Sequence, residues 1–166
     1  EKLRALNITP VAINYEYDPC DYLKAKEYQQ KRDDANYKKQ PADDLLNMQT
    51  GIMGYKGRIS FVVSEVLQVP DEWNDVPRAM QADVAAAAID KLIHANYLLY
   101  PNNYVAADLL SGNQEFADKY SEEDKQTFLA YIEKQLQKID LPNRDDAFLR
   151  NKMYQMYANP VYNQQK

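Results

Sequence analysis

The sequence predicts an α+β fold, or an incomplete α/β one, with two strands at the front, about residues 8–17 and 58–66, and a mostly helical carboxy-terminal region. Three observations carry this. Residues 11–18 alternate strictly, with Val11, Ile13, Tyr15 and Tyr17 facing one way and Ala12, Asn14, Glu16 and Asp18 the other. A second run does the same, with Ile59, Phe61 and Val63 set against Ser60, Val62 and Ser64. Beyond Pro70, with Asp71-Glu72 after it, apolar residues recur at helical spacing instead. Two strands are marginal in water without further neighbours. The expectation is therefore a chain that begins in the middle of a sheet whose other strands lie elsewhere, and that exposes an apolar sheet edge when alone.

The elements follow in order. Asp18-Pro19 predicts a helix start, a short polar cap with proline at the first helical position, and the helix is expected to run to about Lys39. Its apolar positions are sparse (Leu23, Ala25, Tyr28, Ala35, Tyr37), and the charges Lys31-Arg32-Asp33-Asp34 and Lys38-Lys39 predict a solvated or projecting element. Pro41 restarts a short helix through Leu45, Leu46, Met48 and Gln49, expected to stop at Gly51. Gly54 and Gly57 bracket a turn before the second strand. Met80–Leu99 is the strongest helical pattern, with Val84, Ala88, Leu92, Ala95 and Leu99 on one stripe and Ile89, Ile93 and Tyr97 beside it, ending before Pro101. A shorter helix follows Asn102-Asn103 and stops near Gly112. Ser121 and Asp124 form a near capping box for a helix carrying Phe128, Leu129, Ile132, Leu136 and Ile139. Pro142-Asn143 breaks it, and Asp145-Asp146 suit the positive end of a last helix carrying Phe148, Leu149, Met153 and Met156.

Composition narrows the function. A length of 166 residues suits one domain, or one compact unit with an appendage, and 45% hydrophobic residues suffice for a core. A net charge of −5 argues against a nucleic-acid groove, which needs clustered Lys and Arg. No apolar run has the roughly 18–20 residues of a membrane span. The lone Cys20 makes neither an internal disulfide nor a metal site by itself. Glu1 is not methionine, so either a signal peptide has been removed or the chain is a piece of a longer protein. The fourteen tyrosines fit half-buried helix faces, where the ring packs and the hydroxyl stays wet.

No complete catalytic constellation can be read from the residues. His94 is the only histidine, and Leu98 and Leu99 occupy the places from which a partner would orient it. Cys20 lies in the first turn of a helix, which lowers a thiol pKa, but Asp18 and Asp21 push it back up. Ser60, Ser64, Ser111 and Ser121 have no nearby histidine, and there is no Gly-x-Ser-x-Gly. Gly51, Gly54 and Gly57 are spaced by three, which is not a phosphate-cradling pattern. The acidic pairs Asp33-Asp34, Asp43-Asp44, Asp71-Glu72 and Asp145-Asp146 read as helix starts or wet faces. Tyr55-Lys56-Gly57-Arg58 is the one compact basic turn, an exposed corner with the charge to meet a phosphate or an acidic head group.

Two segments, Ile8-Thr9-Pro10-Val11-Ala12-Ile13 and Tyr55-Lys56-Gly57-Arg58-Ile59-Ser60-Phe61, resemble the back half of bacterial glycerophospholipid acyltransferases, the family of 1-acylglycerol-3-phosphate acyltransferases. In that family a strand reading roughly Val-Pro-Val-Ala-Ile follows the catalytic region, and a strand opening with Gly comes next and ends the sheet. Tyr15 to Gln29, Asp43 to Gly57, His94 to Leu110 and Lys134 to Pro160 resemble the long carboxy-terminal extension of one bacterial branch, so the match runs over most of the chain. The family's His-x-x-x-x-Asp and its Glu-Gly pair with a nearby Arg are absent, since His94 has Leu99 five residues on.

The resemblance implies the carboxy-terminal part of such an enzyme without its active site: residues 1–70 as the end of the α/β acyltransferase-like domain and 71–166 as a helical extension. It carries over one residue, Pro10, as the proline that shapes the acceptor site. Lys56 and Arg58 as phosphate neighbours follow from charge alone. The full enzyme would move an acyl group from a thioester carrier, acyl-CoA or acyl carrier protein, to glycerol 3-phosphate or lysophosphatidate. These partners would engage the missing half, in the cytoplasm or at the inner membrane face, with no cofactor, metal or nucleic acid. The alternative is a stand-alone helical binding module, exported if a signal peptide was cleaved, whose Tyr-rich face contacts a partner. A distinct enzyme class with no recognisable motif comes third.

Overall fold

A computed structural model of the chain describes residues 2–165. Among these residues the fold is α+β, as expected: 61% helix, with seven α-helices and a two-stranded antiparallel sheet. The chain forms two compact units that interleave along the sequence. One comprises the residues up to Asn14 together with Ile59–Leu98, the other Tyr15–Arg58 with Leu99–Gln165. The expected division at residue 70 falls inside the first unit.

The first unit holds helix α1 (Lys2–Ala5), most of strand β1 (Val11–Tyr15), strand β2 (Ile59–Val63) and helix α4 (Gln81–Ala95). β1 is shorter than the expected 8–17, and β2 shorter than 58–66. Pairing runs past the regular ladder: Ser64 N donates to Pro10 O at 2.9 Å and Leu67 N to Ile8 O at 2.8 Å. The first of these sets Ala12 opposite Val62 and Asn14 opposite Ser60, with Val11 and Ile13 opposite Val63 and Phe61 on the other face.

The sheet is inside out. Ala12 and Asn14 are buried, whereas Val11, Ile13, Ile59, Phe61 and Val63 are exposed, Phe61 at 64%. The covered face holds Ala12 and Val62 together with polar groups: Asn14 Oδ1 accepts from Leu98 N at 3.1 Å, and Asn96 Nδ2 donates to Ser64 Oγ at 3.1 Å. Asn14 Nδ2 is buried with no partner among the described residues. Helix α4, the strongest helical pattern in the sequence, ends at Ala95, short of the expected Leu99, and buries no residue fully. Its stripe residues Val84, Ala88 and Leu92 are half-buried.

The second unit is helical: α2 (Asp21–Asp33), α3 (Pro41–Met53), α5 (Pro101–Ser111), α6 (Glu122–Leu136) and α7 (Asp146–Gln164). Its core gathers Phe128, Ile132, Leu149, Met153 and Val105, all essentially without solvent access. The starts at Ser121 and Asp145 and the stop at Gly112 hold, but α6 ends at Leu136, short of Ile139 and of the expected break at Pro142, and α5 starts at Pro101, so Asn102-Asn103 lie inside it. Ser121 and Asp124 make a reciprocal capping box, with Asp124 N donating to Ser121 Oγ at 3.1 Å and Ser121 N to Asp124 Oδ2 at 2.8 Å. Asp145 Oδ1 accepts from Phe148 N at 3.0 Å to open α7, and Gly112 closes α5 at φ 70°.

Two helices correct the sequence reading. α2 ends at Asp33, short of Lys39, and it is a core element rather than a projecting one. Its buried positions are Asp21, Ala25 and Gln29, one face at i, i+4 and i+8, and two of the three are polar. α3 runs past Gly51 to Met53, with its last N–H bond from Gly54 N to Thr50 O at 2.8 Å. It too is inside out: Asn47, Thr50 and Gly51 lie on the covered side, while Leu45, Met48, Ile52 and Met53 face solvent, Ile52 at 72%.

The helix is seated through its backbone. A Cβ added at Gly54 would lie 2.3 Å from Pro19 Cβ and 2.6 Å from Thr50 O. Gly54→Ala is expected to cost about 1–3 kcal/mol in urea unfolding. An unchanged unfolding midpoint would show that α3 does not lie against Pro19.

Candidate functional site

Pro10, Lys56 and Arg58 are each committed to structure. Pro10 is buried in the first unit, its carbonyl taken up by Ser64 N. In the second unit, Lys56 Nζ donates to Ile52 O at 3.1 Å and Gly54 O at 3.0 Å, capping the carbonyl end of α3. Arg58 meets Glu16 in a two-pronged pair, Nη2 to Oε1 at 2.9 Å and Nε to Oε2 at 3.1 Å, while its own N–H donates to Oε2 at 2.9 Å. The guanidinium lies 4.8 Å from the centre of the Tyr100 ring, and the hydrogen bond to Glu16 raises the Arg58 pKa further. Lys56 and Arg58 flank Gly57 at φ 63°, where a Cβ would come within 2.6 Å of Glu16 Oε2. The basic turn thus carries its own acid. Glu16 alternates with the apolar side of β1 in the sequence, and nothing in its spacing signals Arg58 as its partner.

His94 is half-buried with its ring centre 5.3 Å from that of Tyr97. Cys20 is buried at the start of α2, and its Sγ lies 3.3 Å from Asn47 O. Burial first, and the Asp18 charge second, push its thiol pKa up, which keeps it protonated. Among the described residues no group of three or more His, Cys, Asp or Glu side chains could hold a metal ion. No described helix is long and apolar enough to cross a membrane.

The densest polar cluster is one the sequence did not announce. Asp21 is fully buried between α2, α6 and α7. Its Oδ2 accepts from Tyr157 Oη at 2.8 Å, and its Oδ1 from Gln135 Nε2 at 2.5 Å and Tyr22 N at 2.6 Å. Tyr157 Oη in turn accepts from Asp18 N at 3.0 Å, and Tyr131 Oη accepts from Gln135 Nε2 at 2.8 Å. Burial pushes the Asp21 carboxyl up to about 6 against the pull of these donors, and raises Tyr131 and Tyr157 as well. No donor to Asp21 in this set is a cation. Tyr157, Tyr131 and Gln135 fill the space around Asp21, and the cluster joins α2, α6 and α7.

Compared with known proteins, the chain matches no family model, no curated protein and no solved structure.

The raised Asp21 pKa fixes a sign. Its contribution to stability is fully present below pH 3.8 and is lost as pH rises through about 6, because the folded state holds a proton that the unfolded state has released. Asp21→Asn is therefore expected to gain stability relative to the parent between pH 4 and 7, followed by urea unfolding at each pH. A constant difference across that range would contradict the raised pKa that burial gives the Asp21 carboxyl. Tyr157→Phe removes a donor to Asp21 and the acceptor of Asp18 N, and is expected to cost about 1–3 kcal/mol by the same measurement.

Proposed function

We propose that this chain is the carboxy-terminal, non-catalytic portion of a bacterial glycerophospholipid acyltransferase. The observation that carries the reading is the inverted sheet: β1 and β2 bury Ala12 and Asn14 and leave Val11, Ile13, Phe61 and Val63 bare. Such a face belongs against further protein, because contiguous exposed apolar surface is rare on a finished monomer. Helix α3 supports it with a second inverted face, Leu45, Met48 and Ile52. The resemblance of Ile8 to Ile13 and Tyr55 to Phe61 to the closing strands of that family gives the covering surface an identity, the catalytic portion of the enzyme.

In the whole enzyme a histidine on that portion, oriented by an aspartate, would take the proton of the acceptor hydroxyl. The alkoxide oxygen forms an ester bond as the thioester carbon–sulfur bond breaks and the carrier thiol leaves. This chain's share is to complete the sheet and to hold the strand at Pro10 in place. The second reading, a stand-alone helical binding module, draws on the self-contained core of Phe128, Ile132, Leu149 and Met153.

Residues 1–166 alone are expected to give no acyl transfer from acyl-CoA to glycerol 3-phosphate or lysophosphatidate above a blank. Turnover at an enzyme-like rate would end the claim that the active site lies on another portion. The chain alone is also expected to self-associate with rising concentration in sedimentation velocity. Ile13→Lys with Phe61→Lys should relieve this while changing unfolding free energy by under about 0.5 kcal/mol per site, as befits exposed positions. A parent that stays monomeric at high concentration favours the stand-alone module.

A further inference from the structure

Four of the fourteen tyrosines meet in series inside the second unit. Tyr55 is the outermost, 71% exposed beside the basic turn. Its ring stacks on that of Tyr17, with the centres 5.7 Å apart. Tyr17 is buried, and its ring centre lies 4.2 Å from that of Tyr131 on α6 and 6.5 Å from that of Tyr157 on α7. Tyr131 and Tyr157 meet edge to face at 6.4 Å, and Phe128 packs against Tyr157 at 5.1 Å.

Packing alone does not ask for phenols along this line. A phenyl ring fills the same space, as Phe128 does, and a buried hydroxyl costs stability unless it is hydrogen-bonded. What a phenol adds is redox chemistry: it gives up one electron readily when its proton can leave at the same time. The inner end of the series supplies that condition. Tyr157 Oη donates to Asp21 Oδ2 at 2.8 Å, while Asp21 Oδ1 accepts from Gln135 Nε2 and Tyr22 N. A base thus stands within hydrogen-bond reach of the proton it would take. Asp18 N donates to Tyr157 Oη at 3.0 Å, and this bond remains to hold the oxygen once its proton has gone. Tyr157 and Asp21 are both buried, so a radical formed there is kept from solvent and from a second radical.

We propose that Tyr55, Tyr17 and Tyr157, with Tyr131 beside them, form an electron relay that delivers an electron from Tyr157 to a one-electron oxidant of the peroxide-derived radical class arriving at Tyr55. The oxidant takes one electron from Tyr55, which recovers it from Tyr17, which recovers it in turn from Tyr157. In the net step Tyr157 loses one electron and its O–H bond breaks. The proton forms an O–H bond on Asp21 Oδ2, leaving a neutral phenoxyl radical against a carboxylic acid, and the oxidant is reduced by one electron. The relay lies within one unit and stands independently of the acyltransferase reading.

The test oxidises the full chain by flash photolysis with a ruthenium(III) tris(bipyridine) complex, followed by freeze-quench electron paramagnetic resonance. It is run at pH 8, above the value of about 6 to which burial pushes Asp21, so that the carboxylate is free to accept a proton. A phenoxyl signal that outlives those of the exposed tyrosines is expected. Tyr157→Phe is expected to abolish this long-lived signal. Tyr17→Phe keeps the ring and leaves the partners of Asp21 in place, and is expected to cut the long-lived yield several-fold. Asp21→Asn removes the base and is expected to slow formation about a hundredfold. Circular dichroism confirms that each variant remains helical. Absence of a long-lived signal in the parent, its survival in folded Tyr157→Phe, or unchanged formation in both Tyr17→Phe and Asp21→Asn overturns the proposal.

Discussion

Helix α2 is held in the core of the second unit by two side chains that ordinarily stay in water. Asp21 reaches Tyr157 on α7 and Gln135 on α6, and Gln29, two turns on, bonds the loop before α7, with Nε2 to Asn143 O at 2.7 Å and Oε1 accepting from Asp145 N at 3.1 Å. Ala25 between them lets the helix approach closely. Each polar group is matched, and this matching makes the burial tolerable, because an unpaired polar group in a core costs more than a satisfied one returns. α3 leans in turn on the start of α2, through Gly54 against Pro19 and Cys20 beside Asn47. The order of this unit's front half therefore rests on Asp21 and Gln29.

The same economy of apolar contacts appears in reverse at the surface. β1 with β2, and separately α3, turn polar or small residues inward and large apolar ones outward. In each case the outward side chains are those a sequence reader would place in a core: Ile13, Phe61 and Val63 on the sheet, Leu45, Met48 and Ile52 on the helix. Two independent elements inverted in the same sense suggest surfaces made to be covered, not scattered exposed residues. That is the physical content of the acyltransferase reading.

Much of the fold was legible. Period-two alternation located both strands, and Ser121, Asp124 and Asp145 marked the starts of the last two helices, whereas Pro142 overran the end of α6 at Leu136. The shortage of strands predicted a bare sheet edge, and that the bare surface is an apolar face was not legible. What escaped were the contacts made by polar groups. α2 reads as a solvated helix because hydrophobic periodicity cannot register Asp21 and Gln29 as interior positions. α4 reads as the best core helix from its stripe, yet buries none of it fully, since periodicity says that a face exists and not what covers it. Gly51 looks like a stop but lies inside α3, and the true end comes at Gly54, where Pro19 leaves no space. At the basic turn, charge pointed to Lys56 and Arg58 as phosphate neighbours. The sequence gives no sign that Lys56 caps α3 or that Glu16 pairs with Arg58, because these partners are set by the hairpin and not by spacing.

The claim that the exposed sheet face belongs against a catalytic portion is tested most directly by the coding sequence immediately upstream of Glu1. A His-x-x-x-x-Asp followed by a Glu-Gly segment, within about one domain length, is the predicted result and would supply both the missing strands and the missing base. A start codon or a signal peptide directly before Glu1 would contradict it, and would make the bare faces of the sheet and α3 the binding surfaces of an independent module.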